Sequence, residues 1–229
     1  MDEPLSSRDC QASGNADTPQ RLPVDGNVAG RLTMVTSLAP GAIAIAEPDG
    51  PPQSDGARSY ALTTFGSLDQ RSDEIAKGLL AWGVKPGMRM AMLVPFGAGF
   101  IELVFALMKA GVVTVLVDPG MGRKHLVQCL SDAQPDGFIG IPKAQAVRTF
   151  LRRRFPNAKW NVTVGRRLFW GGKTLDQILI LGKDQAESVS FPRVERSDGA
   201  AVIFTTGSTG PPKGVLYTHG IFHAQIDRI

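Results

Sequence analysis

Cysteine is nearly missing from this chain: Cys10 and Cys129 are the two in 229 residues. That excludes a disulfide framework and a cysteine-rich metal site, and points to a reducing, cytoplasmic setting. No secretory leader opens the sequence, because "MDEPLSSRDC" is acidic and polar where a leader needs a basic start and an apolar run. An uninterrupted membrane-length apolar run is also wanting. The longest candidate, "FIELVFALMKAGVVTVLV" at 100–117, is broken by Glu102, Lys109 and Gly111, and reads as a helix followed by a strand. The basic clusters "RTFLRRR" (148–154) and "GRR" (165–167) come without interleaved stacking aromatics, so they read as solvated faces and not as a nucleic-acid site. Internal repeats are absent.

What is present is an ordinary globular composition, 43% apolar and 20% charged with a formal charge of +4, enough for one substantial domain. Residues 1–27 are rich in Ser, Asp, Pro, Gly and Asn and are expected to form a flexible polar tail. A second polar interval, 47–59, should join two strands or a helix to a strand. From Tyr60 the pattern is regular. Leu68, Ile75, Ala76, Leu79 and Leu80 follow helical spacing between a capping Thr64 and a terminating Gly83. "MRMAMLV" (88–94) and "VVTVLV" (112–117) are continuous apolar runs, as strands covered on both faces require. Helices near 100–108, 122–133 and 143–154 alternate with strands at 137–141 and 160–164. This predicts an α/β fold with a mainly parallel, doubly wound sheet and helices on both faces. Ligands in such folds sit beyond the carboxyl ends of the strands, where Asp118 falls, although a turn-forming role suits that residue better. A linker at 182–199 leads to one more strand, "AAVIF" (200–204).

That strand runs directly into "TTGSTGPPKG" at 205–214. Glycines allow backbone amides to approach an anion, Thr205, Thr206, Ser208 and Thr209 add hydroxyl donors, and Lys213 adds positive charge. Pro211 and Pro212 restrict the backbone before the lysine. The Walker pattern is not met, because Lys213 follows Pro212 and precedes Gly214. Apolar runs on both sides argue against a flexible linker. His219 and His223 follow, and His219 suits capping or packing better than acid–base work.

At these residues the chain resembles the adenylate-forming enzymes, which include acyl-CoA synthetases, luciferases and peptide-synthetase adenylation domains. The resemblance extends over about residues 30–229, through "TTFGSLDQRSDEIAKGLLAWGVKPGMRMAMLVP" and "FALMKAGVVTVLVDPG". Within that family, "VDPGMGRKHLVQCLSDAQPDGFIGIP" and "VTVGRRLFWGG" look most like the olefin-biosynthesis branch, the β-lactone synthetases. The resemblance implies the first part of a large N-terminal adenylation domain, over 28–229. It implies that a carboxylate attacks the α-phosphorus of ATP, giving acyl-AMP and pyrophosphate, with fatty or β-hydroxy fatty acids as substrates. Thioester formation on coenzyme A or a carrier, or β-lactone closure, would follow. It further implies that Thr205, Thr206, Gly207, Ser208, Thr209, Gly210 and Lys213 hold the β- and γ-phosphates, with Mg²⁺ beside them.

The same pattern calls for a Thr-Glu segment near the adenine and the metal, a Thr-Gly-Asp segment at the ribose and a late catalytic lysine. The first two are not in this sequence, and the third belongs to a domain beyond it. The expectation is therefore an incomplete adenylation domain without catalytic or metal-ligating residues of its own. Uncovered core surface could make it self-associate. The alternative is a non-catalytic remnant that at most binds nucleotide or a protein partner.

Overall fold

A computed structural model describes residues 26–51, 56–205 and 212–229. The first expected segment, 1–27, lies outside these residues except for Gly26 and Asn27. Asn27 is buried, and its Nδ2 donates to the Met108 carbonyl at 2.7 Å. Helix α1 (Gly30–Leu38) precedes an antiparallel pair, β1 (Ile43–Pro48) and β2 (Tyr60–Thr64). Helix α2 (Phe65–Trp82) follows the expected punctuation: the Thr64 hydroxyl accepts from the Ser67 amide at 3.2 Å, and Gly83 closes it with φ of 104°.

The main sheet takes β3 (Arg89–Leu93), β4 (Val113–Val117), β5 (Gly137–Gly140), β6 (Trp160–Thr163), β7 (Lys173–Thr174), β8 (Gly199–Thr205) and β9 (Lys213–Thr218). Their order is β7-β6-β5-β3-β4-β8-β9, and every pairing is parallel except β8 with β9. Between strands run α3 (Ala98–Lys109), α4 (Arg123–Ala133), α5 (Pro142–Phe150) and α6 (Leu175–Asp184), and α7 (His219–Ile226) follows β9.

Alternation along the strands divides the core in two. Met90 and Met92 of β3 join Ile139 and Val162 under Leu79, Leu107 and Ile178 of α2, α3 and α6. Ala91, Val115, Phe138 and Phe204 point the other way, onto Cys129 and Leu130 of α4 and onto Phe155. Helices therefore cover both faces, as the continuous apolar strands require. Each fully buried Leu or Ile contributes about 1.5–3 kcal/mol relative to exposure.

Two contacts fix the first helical layer. A Cβ on Gly78 would lie 2.0 Å from the Ile178 carbonyl oxygen, and one on Gly182 would lie 1.8 Å from that of Glu74, so α2 and α6 meet backbone to backbone. Lys109, which interrupts an apolar run in the sequence, is fully buried: its Nζ donates to Asp69 Oδ1 and Asp73 Oδ1, each at 2.5 Å, and to the Asp69 carbonyl at 2.9 Å. Thr33 of α1 adds a hydrogen bond to Asp69 at 3.1 Å. Burial raises the Asp73 carboxyl above its usual range, with Lys109 pulling it back down.

Some elements depart from the sequence reading. Helix α6 lies partly within and ahead of the expected linker, started by a capping box in which Thr174 and Gln177 satisfy each other's backbone amides. Helix α5 stops at Phe150, and one 3₁₀ turn, Arg152–Arg154, replaces its expected last turn. Among the described residues no helix is long and apolar enough to cross a membrane.

Candidate functional site

Because β3 to β8 are parallel, their carboxyl ends share one edge, and β8 delivers the hydroxyl- and glycine-rich segment there. Strand β9 returns antiparallel, placing Lys213 opposite Thr205 in the ladder. The predicted phosphate-holding residues thus begin and end on a cross-strand pair. Lys213 is exposed at this edge. Thr206, Gly207, Ser208, Thr209 and Gly210 lie outside the described residues, and of Thr205 only the backbone is described.

The last glycine of the motif has a structural task that the sequence reading missed. Gly214 pairs with Phe204, and a Cβ there would sit 2.8 Å from the Phe204 ring. The ring is buried in the layer beneath α4, so a side chain at 214 must displace it. Gly214→Ala should cost about 1–3 kcal/mol through overpacking, read as a lowered urea midpoint. An unchanged midpoint would show that the ring is not confined. "AAVIF" is apolar throughout, so the sequence carried no signal for which face Phe204 takes.

At the end of β4, Asp118 Oδ1 accepts from the Gly120 amide at 2.7 Å and caps the 3₁₀ turn Pro119–Met121. The turn-forming reading of this residue agrees with that contact. Behind the hairpin, Thr218 caps α7 by accepting from the Ile221 amide at 3.3 Å. The α7 histidines then face the start of the described chain. His219, fully buried, accepts from the Val28 amide through Nδ1 at 3.2 Å, and His223 accepts from Arg31 Nε at 3.3 Å.

Accepting at Nδ1 leaves the proton of each neutral ring on Nε2. Burial, with His223 adding to it and Asp198 opposing, lowers the His219 pKa to about 4. Burial first, then Arg196 and Arg31, lowers that of His223, against the Gly26 carbonyl and Asp227. These are packing histidines held neutral, as expected for His219. The two rings tie the start of the described chain to the segment that follows the hairpin, while Asn27 ties it to the end of α3.

The donor set fits a polyphosphate: an exposed ammonium stands at the carboxyl edge, opposite the residue where the hydroxyl-rich run begins. It does not by itself fit a metal. Among the described residues no group of three or more His, Cys, Asp or Glu side chains could hold one.

The sequence pattern of the AMP-binding enzyme family matches residues 39–229. The olefin β-lactone synthetase of Stenotrophomonas maltophilia is 44% identical over 204 residues, covering 87% of this chain and 36% of that protein. A feruloyl-CoA synthase from an Amycolatopsis species is 32% identical over 158 residues, or 69% of this chain and 28% of the other. The crystal structure of a long-chain-fatty-acid-CoA ligase from Archaeoglobus fulgidus superposes with a TM-score of 0.67 at 19% identity, over 85% of this chain and 37% of that one. This likeness shows a shared fold, the α/β architecture with a mostly parallel sheet found in the N-terminal domain of adenylate-forming ligases. The chain spans about a third of the length of the curated relatives it matches.

Proposed function

From its membership of the AMP-binding enzyme family, to which this chain belongs, we propose that it forms the phosphate-holding part of an ATP-dependent acyl-adenylating ligase. The observation that carries this reading is the hairpin. It sets Lys213 across from Thr205 at the edge where the parallel strands end, so "TTGSTGPPKG" opens onto the ligand side of the sheet.

In this reading Lys213 holds the β- and γ-phosphates of ATP together with the hydroxyls and amides of Thr205, Thr206, Gly207, Ser208, Thr209 and Gly210. Donors fixed before the reaction stabilise negative charge that develops when a carboxylate displaces pyrophosphate. Mg²⁺, when bound, would neutralise part of that charge; among the described residues no group of three or more His, Cys, Asp or Glu side chains could hold it. The likeness to the olefin β-lactone synthetase of Stenotrophomonas maltophilia supports a β-hydroxy fatty acid as the carboxylate, whose own hydroxyl closes the ring with release of AMP. The feruloyl-CoA synthase likeness keeps coenzyme A as the alternative acceptor.

The test is ATP binding by titration calorimetry. A charged hydrogen bond is worth about 1.5–3 kcal/mol, so Lys213→Ala should weaken affinity by roughly tenfold to a hundredfold. Its melting curve should stay unchanged, because the side chain is exposed. Equal affinity in the two proteins would remove the phosphate role of Lys213.

A further inference from the structure

Residues 142–173 carry nine Lys or Arg and no Asp or Glu, so the whole positive excess of the chain arises in this one stretch. In the fold the stretch gathers at the β6–β7 end of the sheet. Lys143, Val147 and Phe150 recur on the outward face of α5, while Gln145 turns inward and donates to the Phe138 and Val162 carbonyls at 3.3 and 2.8 Å. The loop after β6 comes back beside this helix and brings Arg166, Arg167, Leu168 and Phe169 to the surface.

Phe150 is 80% exposed and Phe169 68%, yet their rings lie 6.4 Å apart, edge to face. Val147, one helical turn before Phe150, and Leu168, adjoining Phe169, are more than half exposed. Arg152, Arg153 and Arg154 stand in water just after Phe150. A groove lined by Arg123, Lys124 and Arg154 continues the basic surface onto α4. Phe150 lies inside the first basic cluster and Phe169 two residues after the second, so aromatics do accompany these runs, contrary to the sequence reading, and the fold brings the two rings together.

We propose that this face, made of α5, Arg152–Arg154 and residues 165–169, docks onto an anionic lipid bilayer. Apolar tips ringed by cations match the boundary between acyl chains and acidic headgroups, which takes apolar side chains of any shape. Nucleic acid fits less well. Val147 and Leu168 offer no plane on which a base could stack, and Phe150 and Phe169 spend part of theirs on each other. The groove beside Arg154 would receive a headgroup phosphate. This inference is independent of the reading of the Lys213 hairpin.

The experiment is flotation of the chain with vesicles of phosphatidylcholine alone and of an equal mixture with phosphatidylglycerol. Partitioning onto the mixed vesicles should be at least about tenfold stronger and should fall with added salt. Phe150→Ser with Phe169→Ser should reduce it by about tenfold while the melting curve is kept, because both rings are exposed. Arg152→Gln with Arg153→Gln should reduce it and flatten its salt dependence. Equal partitioning on the two vesicle types would overturn the proposal. So would double-serine binding equal to wild type, or capture of a single-stranded oligonucleotide with no vesicle binding.

Discussion

Lys109→Met should destabilise the fold by about 3–5 kcal/mol at neutral pH, the range for removing one partner of a buried ion pair. In a chain of this size that corresponds to a loss of roughly 10 °C in melting temperature. The reason is geometric. One ammonium at the end of α3 serves two carboxylates and a carbonyl of α2, with contacts of 2.5, 2.5 and 2.9 Å. Methionine fills the volume but leaves Asp69 and Asp73 charged against an apolar wall.

The pH dependence tests that cause. Burial already raises the Asp73 carboxyl, and without Lys109 only the smaller pull of Lys77 opposes that rise. A carboxyl whose folded-state pKa exceeds its unfolded one favours the folded state at low pH and loses that advantage as pH rises. The deficit of the variant should therefore shrink on acidification from neutral pH, and adding Asp69→Asn should recover part of it. A deficit under about 1 kcal/mol, or one independent of pH, would mean that the three groups are separately solvated.

The second large effect is acid sensitivity from His219. Its ring titrates near 4 in the folded chain against an ordinary 6.5. Between those values the unfolded chain takes up a proton that the folded chain refuses. The stabilisation is complete above about 6.5 and is lost as pH falls to about 4, a total of about 3 kcal/mol. Protonation at Nδ1 would set one N–H against another, that of Val28. Denaturant unfolding of wild type and His219→Gln across this interval isolates the effect, because all other titrating groups are shared. Two parallel curves would remove His219 as the cause.

What could be read from the sequence, and what could not, divides along sequence distance. Helix α2 was legible from both ends, since Thr64 and Gly83 act within one turn of the residues they cap. The buried strands were legible because continuous apolar runs leave few alternatives. Lys109 was misleading. Among apolar neighbours it looked like a break, and the carboxylates that neutralise it lie 36 and 40 residues earlier. Helix α6 escaped notice because Gly182 and the polar residues after it read as a linker, whereas that glycine is where two backbones touch. At the candidate site the phosphate-loop residues were legible as a motif, but Gly214 was not separable from it. Its partner is a ring on the opposite strand, and only the ladder brings them together.

The clamp of the α7 histidines on the start of the described chain also sets an order of events. Val28 and Arg31 meet His219 and His223 across 191 and 192 residues. On a ribosome the acceptors are therefore made long after the donors. Helices α2 and α3 can pack with β3 and β4 as they emerge, but Val28 and Arg31 must wait until α7 has been synthesised and β9 has paired with β8. Their docking reports that the hairpin carrying Lys213 is in place. Hydrogen exchange at the Val28 amide during refolding would serve as a clock for the docking of α7.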